Sequence, residues 1–364
     1  PLVTKSVLGV LSVVLTASAI LVAGCGSPAD GKPAKEKTTV TWMMAADLSR
    51  PLIEELVVEF EASHPSIDIR VIWVPSVQYQ TKFKTLVAAG EAPDLFYCGD
   101  VWLAYLLPFL ADITEYVERD AEEIDLDDFY PELLEACQYD ERYYFLPRWF
   151  NIGALYYNKE MFDEAGVEYP DESWTWEDFI AAAKKLTKRN EKGRVVQWGC
   201  DVELYWWGEW LTLVRQSGGD FFDEETGLSG LDEPEAIRGL EFYRDKIYTW
   251  GVSPEPGFRP ENGFASNKTA MSYGGHLGNW ILFRQIEDLE WDIAPLPKGP
   301  ETRAGAELAI DALGIAKDSK VKEEAWEFVK YVVSKESVRK HFELGYPPVR
   351  KSVAQQTLLK GEPG

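Results

Sequence analysis

Apolar positions along the chain switch between two spacings. Residues 39–44 (TVTWMM) read as a short strand, and over 51–62 Leu52, Ile53, Leu56, Val57 and Phe60 fall at helical spacing. His64-Pro65 stops that helix, and 67–74 alternates as a strand. A second helix is predicted over 79–89, with Phe83, Leu86 and Val87 on one face; Gly90 to Pro93 end it, and 94–97 reads as a short buried strand. Strand, helix, strand, helix, strand predicts parallel pairing with crossover helices. Ligands of such sheets sit beyond the carboxyl ends of the strands. Three loops take that position: 45–49 with Asp47, 75–78 with Gln78, and 98–102 with Asp100 and Trp102. Each residue alone reads more readily as a helix cap or loop filler; their shared location makes them candidates.

Further on, 145–158 is a β stretch followed by a helix over 160–165 and a turn at Gly166. Thr175 with Asp178 three residues later resembles a capping box for a helix running to Thr187. Residues 195–199 read as a strand, and the aromatic cluster 205–210 (YWWGEW) as the entry to a helix. A helix over 233–248, a short strand over 270–273 and a helix opened by Trp280 follow. Strands at 291–295 and 305–316 lead to an amphipathic helix at 321–334, with Ala325, Phe328, Val329 and Val332 inward. No internal repeat is visible.

The N-terminus has a different pattern. One positive charge, Lys5, precedes an apolar run over 7–22, long enough to read as a membrane-spanning helix. Its ending, Val22-Ala23-Gly24-Cys25, resembles instead the bacterial lipobox, in which small residues expose the backbone to a peptidase and the cysteine thiol takes a diacylglycerol. Residues 1–24 are then a signal peptide, Cys25 the lipidated residue, and 25–37, rich in Gly, Ser, Pro and Lys, a flexible tether. The expected location is the outer face of a bacterial cytoplasmic membrane.

Composition narrows the chemistry. With 61 acidic against 37 basic residues the net charge is -24, which would repel a phosphate backbone, so nucleic acid is excluded as a partner. Three histidines and no CxxC leave no metal motif; no P-loop, HExxH or G-x-S-x-G appears, and no cofactor is expected. Cys98, Cys137 and Cys200 read as partly buried thiols, with one disulfide as the alternative. The chain has 14 Trp and 17 Tyr. Most must fill a core, but aromatic rings also pack on the C–H face of a pyranose, the chemistry of a sugar binder.

Ordered segments then carry a resemblance: FEASHP (60–65), AAGEAPDLF (88–96), LYYNKEMFDEAG (155–166) with WTWEDF after it, NKTAMSYGGHLGNW (267–280), APLPKGP (294–300) and EEAWEFVKYVVSKE (323–336). The set resembles the family 1 extracellular solute-binding proteins of ABC importers. The resemblance implies an α/β, two-lobed periplasmic-binding-protein-like fold of class II type, with the ligand cleft between the lobes. It implies lobe 1 over 38–149 and 301–353 and lobe 2 over 150–300, with the first crossing near 149–151 and the return around Pro300. Residues 354–364 read as the start of a C-terminal segment that is cut short. Carried over residue by residue, ligand-binding roles fall on Asp47, Gln78, Asp100, Trp102, Asn151, Glu203, Tyr205, Trp207, Trp280 and Asp311. The implied partners are a sugar or oligosaccharide, the permease subunits and, through the anchor, the membrane; a monomer without enzymatic activity is expected.

Three alternatives stand beside this. A glycerol phosphodiester or other anion would want a cleft cation, for which Arg148 and Arg215 are available but isolated. Ferric iron would want paired tyrosines, and Tyr156-Tyr157 point to opposite faces of a strand. A secreted glycoside hydrolase needs two carboxylates flanking a bond, which so acidic a chain could supply by chance.

Overall fold

The computed structural model describes residues 37–46, 49–99, 103–201, 207–223, 226–255, 263–276, 279–301 and 305–358. Strand β1 (Thr38–Ala46), helix α1 (Arg50–Ser63), strand β2 (Ile67–Pro75), helix α2 (Tyr79–Ala88) and strand β3 (Leu95–Gly99) follow one another as the periodicity predicts. β1 lies between β2 and β3 and runs parallel to both. Parallel neighbours need a crossover, and α1 and α2 provide it. α1 carries proline in its first turn, where the missing N–H breaks no helical bond, and buries Leu52, Ile53, Leu56 and Phe60.

The organising element is β4 (Phe145–Asn158). Three later strands pair with it: β5 (Met271–His276), β6 (Trp291–Ala294) and β7 (Leu308–Ile315). Its first half, Phe145 to Ile152, pairs antiparallel with β7, whose other edge pairs with β3. Its second half pairs with β5 from Gly153 onward and with β6 from Leu155 onward. The order β5-β4-β7-β3-β1-β2, with β6 also on β4, is therefore one sheet among the described residues, but its two ends serve different cores.

The first core gathers Trp42, Phe60, Phe96, Phe145, Leu313, Trp326 and Phe328, from the two ends of the sequence. The second gathers Leu155, Phe162, Trp176, Phe179, Leu213 and Tyr273, with a satellite of Tyr156, Phe264, Phe283 and Leu289 beside it. Along β4 the changeover falls after Phe150, which packs on the first core, and before Leu155, which belongs to the second. On the return, Ala306 still packs with the second core and Leu308 with the first. The chain thus forms two α/β lobes.

Helices of the second lobe are α3 (Lys159–Ala165), α4 (Trp176–Leu186), α5 (Trp207–Gln216), α6 (Pro234–Tyr248) and the single turn α7 (Trp280–Phe283). α4 begins with the predicted capping box: Thr175 accepts from the backbone of Asp178, and the Asp178 carboxylate accepts from the Thr175 backbone. α5 and α6 approach closely at Gly239, where a Cβ would lie 2.5 Å from the Leu213 carbonyl oxygen. In the first lobe α8 (Lys322–Val332) buries the predicted face and Trp326 as well; α9 (Lys335–Leu344) and α10 (Lys351–Leu358) complete the described chain. The sequence pattern left α9, α10 and 103–143 unassigned. That last stretch folds into short α-helices of four to six residues, two 3-10 turns and a hairpin of two-residue strands, too short for either period to show.

Cys137 and Cys200 are buried, and the side chain of Cys98 lies outside the described residues. Burial pushes the Cys200 thiol up to about 12, so it stays protonated beside Ser253 at neutral pH. Among the described residues no helix is long and apolar enough to cross a membrane, and the apolar run at 7–22, Cys25 and the tether to 36 lie outside them.

Candidate functional site

The crossing between lobes carries a connected set of side chains. The ladder of β4 and β7 slips by one residue: Asp311 faces Trp149 and Ala312 faces Pro147, leaving Arg148 as the extra residue of a bulge. Arg148 is 1 % exposed, and its Nε and Nη2 both donate to the Asp311 carboxylate, a fork-to-fork pair. Its Nη1 lies 3.4 Å from His341 Nε2, and the other ring nitrogen of His341 is 2.8 Å from the Ser337 carbonyl oxygen. Burial, and then the neighbouring guanidinium, push the fully buried His341 down from 6.5 to about 3, so the ring is neutral at pH 7. The guanidinium lies 5.6 Å from the Trp149 ring, which in turn packs on Tyr346 with centroids 4.6 Å apart. The Trp149 indole N–H is buried and has no hydrogen-bond partner, one of two such indoles among the described residues. Asn151 is buried two residues further along the same strand.

Trp280 joins this set from the second lobe. It opens α7, is half-buried, and donates its indole N–H to the carbonyl of Gly345, the residue before Tyr346. The contacts therefore run from Trp280 through Gly345-Tyr346 to Trp149 and the Arg148–Asp311 pair. Of the sequence-derived candidates, Asn151, Trp280 and Asp311 fall on or beside the crossing. Gln78 is exposed where α2 begins. Trp207 is the first residue of α5; Asp47, Asp100, Trp102, Glu203 and Tyr205 lie outside the described residues.

The two arginines read as isolated are both paired. Arg148 is held by Asp311, and Arg215, on α5, pairs with Asp220 and with both oxygens of Glu307 at 2.9 and 2.8 Å. Sequence reasoning missed Asp311 and Glu307 as partners because they lie 163 and 92 residues away; Asp220, at a separation of 5, was within local reach. Tyr156 and Tyr157 do point to opposite faces: Tyr156 packs on Phe283 and Trp291, Tyr157 on Phe162 and Tyr169. Burial and then the Asp292 carboxylate push Tyr157 up to about 12, away from the phenolate a ferric ion would need.

Beneath the start of α5 lies a second buried ion pair. Lys246 on α6 donates to the carboxylate of Glu209, with both residues fully buried, and the ammonium sits 5.2 Å from the Tyr243 ring and 5.4 Å from that of Tyr273. Gln216, at the other end of α5, accepts from the Trp176 indole at 2.8 Å and the Tyr273 hydroxyl at 2.7 Å, while its amide donates to the Gly305 carbonyl at 3.2 Å. α5 is thus fixed at both ends by buried polar contacts.

Two lobes, a double crossing and an aromatic set beside it define a solute-binding protein of the periplasmic type. Residues 45–339 match the model of the bacterial extracellular solute-binding protein family, and the chain belongs to that family. The maltotriose-binding protein of Pyrococcus abyssi is 26 % identical over 338 residues, covering 89 % of this chain and 69 % of that protein. Among solved structures, an ABC substrate-binding protein from Listeria monocytogenes in complex with cycloalternan is similar with a TM-score of 0.79 at 28 % identity, over 89 % of this chain and 83 % of that one. Maltose-bound MalE3 of T. maritima is similar with a TM-score of 0.74 at 26 % identity, over 89 % and 84 %.

Proposed function

We propose that this chain is the sugar- or oligosaccharide-binding subunit of an ABC importer, held outside the cytoplasmic membrane by lipid on Cys25 and delivering its ligand to the permease. The observation that carries the ligand class is the aromatic set at the crossing with its nearby arginines already neutralised. An anionic ligand would have to displace Asp311 or Glu307, whereas a sugar needs only stacking faces and uncharged or carboxylate hydrogen-bonding groups. The relatives named for maltotriose, cycloalternan and maltose support the same class. In this reading lobe 1 comprises 38–149 and 301–353 and lobe 2 comprises 150–300. Asp47, Gln78, Asp100, Trp102, Asn151, Glu203, Tyr205, Trp207 and Trp280 meet the ligand between them, and Asp311 acts from beneath by fixing Arg148 across the crossing. Trp149, with its buried, unpartnered N–H, joins the site.

Titrating the purified protein with mono- and oligosaccharides tests this. A saturable change in tryptophan fluorescence without cleavage products is expected; release of shorter sugars would replace the binder with a glycoside hydrolase. A glycerophosphodiester that raises the melting temperature while no sugar does would replace the ligand class, because a ligand of the folded state alone stabilises it. Trp280→Ala is expected to weaken sugar binding about tenfold or more, each decade corresponding to about 1.4 kcal/mol; an unchanged Kd removes Trp280 from the site. For the anchor, Cys25→Ser is expected to shift the protein from the membrane pellet to the soluble fraction, and continued sedimentation with the membrane argues for an uncleaved N-terminal helix.

A further inference from the structure

α9 belongs to the first lobe, yet the second lobe caps its C-terminal end. The last carbonyls of any helix lack intrahelical partners. At α9 the first are satisfied locally: Gly345, at φ 110, turns left-handed and donates to the Phe342 carbonyl at 2.7 Å, and Tyr346 donates to that of His341 at 3.0 Å. The next three point at α7 and its flank. The Trp280 indole N–H donates to Gly345, and Arg284 Nη2 donates to the carbonyls of Leu344 at 3.2 Å and Glu343 at 3.4 Å. The Arg284 guanidinium also lies 5.9 Å from the Trp280 ring, whose other neighbour is Phe342, with centroids 6.2 Å apart. A cation at the negative end of a helix is favourably placed. The fit is close, since a Cβ on Gly345 would lie 2.2 Å from Trp280 Nε1 and 2.5 Å from Ile281 Cγ1.

The two sides of this cap are carried by different cores. Val338 seats α9 in the first core, while Phe283 seats α7 beside Tyr156, Phe264 and Leu289 on the second. Among the described residues the chain crosses between the lobes on β4 and on the return into β7. A rotation about those strands carries α7 away from α9, and hydrogen bonds at 3.2 and 3.4 Å do not survive a shift of an ångström.

We propose that this cap selects the interlobe angle, and that Arg284 is a positioning residue that sets ligand affinity without touching the ligand. The affinity arm rests on the sugar-binding reading; the angle does not. A protein whose binding-competent arrangement is a fraction f of the total binds more weakly by the factor 1/f. Losing the cap lowers f for the arrangement described here.

Arg284 is exposed, so Arg284→Ala leaves both cores intact. Small-angle X-ray scattering of the ligand-free protein is expected to show a larger radius of gyration for Arg284→Ala than for wild type. Sugar titration is expected to show about a fivefold weaker Kd, and Arg284→Lys, which keeps the charge, should restore most of both. An unchanged radius of gyration overturns the proposal. So does a smaller radius accompanied by tighter binding, which would place the cap in the open form. Should the wild type bind no sugar at all, the ligand reading fails, while the scattering comparison still decides the cap.

Discussion

Lys246→Met is expected to unfold the second lobe at markedly lower urea concentration than wild type, with a loss of about 3–5 kcal/mol. The reason is the charge left behind. Lys246 and Glu209 are fully buried, and the ammonium supplies the countercharge that a carboxylate at that depth requires. Methionine fills much the same volume but removes the ammonium that neutralises the buried Glu209 carboxylate. Intact buried pairs are near break-even against apolar residues, so Lys246→Met with Glu209→Leu should recover most of the loss. Tryptophan fluorescence reads the transition, since Trp174, Trp176 and Trp210 lie in or against this core. A single variant that loses under about 1 kcal/mol, or a double variant no better than the single, would show that Glu209 does not depend on Lys246.

The second large effect is one of pH. His341 is neutral in the folded protein down to about pH 3, whereas in the unfolded chain it takes a proton below 6.5. The unfolded state therefore binds more protons between those values, and stability falls as pH falls through that window. Between pH 6.5 and 5 this single ring should remove about 2 kcal/mol, at 1.36 kcal/mol per unit of separation. The Asp120 carboxylate, held far below the usual range by Arg119, stays ionised there and adds nothing. Comparing wild type with His341→Gln isolates the effect: the variant's stability should change less across that interval by about the same amount. Parallel curves would mean that the folded protein opens enough at the Arg148–His341 contact to admit the proton.

Legibility in the sequence followed range. Helices α1, α4 and α8 and the extent of β4 were readable because their signals are local: apolar spacing, the Thr175–Asp178 box, and a run of strand formers from Phe145 to Asn158. What β4 pairs with was not. Its partner β7 begins 150 residues after Asn158, and the bulge that aims Arg148 at Asp311 exists only once those strands meet. Asp311 consequently read as a ligand group and Arg148 as isolated, although the structure joins them. Trp280 read as a stacking residue from its place after a small-residue loop; that its N–H is taken by Gly345 depends on a helix 65 residues on. The loops after β1 and β3, the strongest positional argument for a ligand site, bear on residues outside those described, so their role rests on topology and family membership.

The way β4 serves both lobes also fixes an order of events during synthesis. Residues of the second core run without interruption from Leu155 to Leu296, so a growing chain has every piece of that lobe in hand early. The first lobe has not: Ile310, Leu313, Trp326 and Phe328 are needed to cover Trp42 and Phe96, and they emerge after the whole of the second core. Until then one edge of β3 stands open, an invitation to pair with a neighbouring chain. Closing contacts across more than two hundred residues is also slow. On the export proposed above, that delay keeps the first lobe threadable until Ile310 to Phe328 have been made.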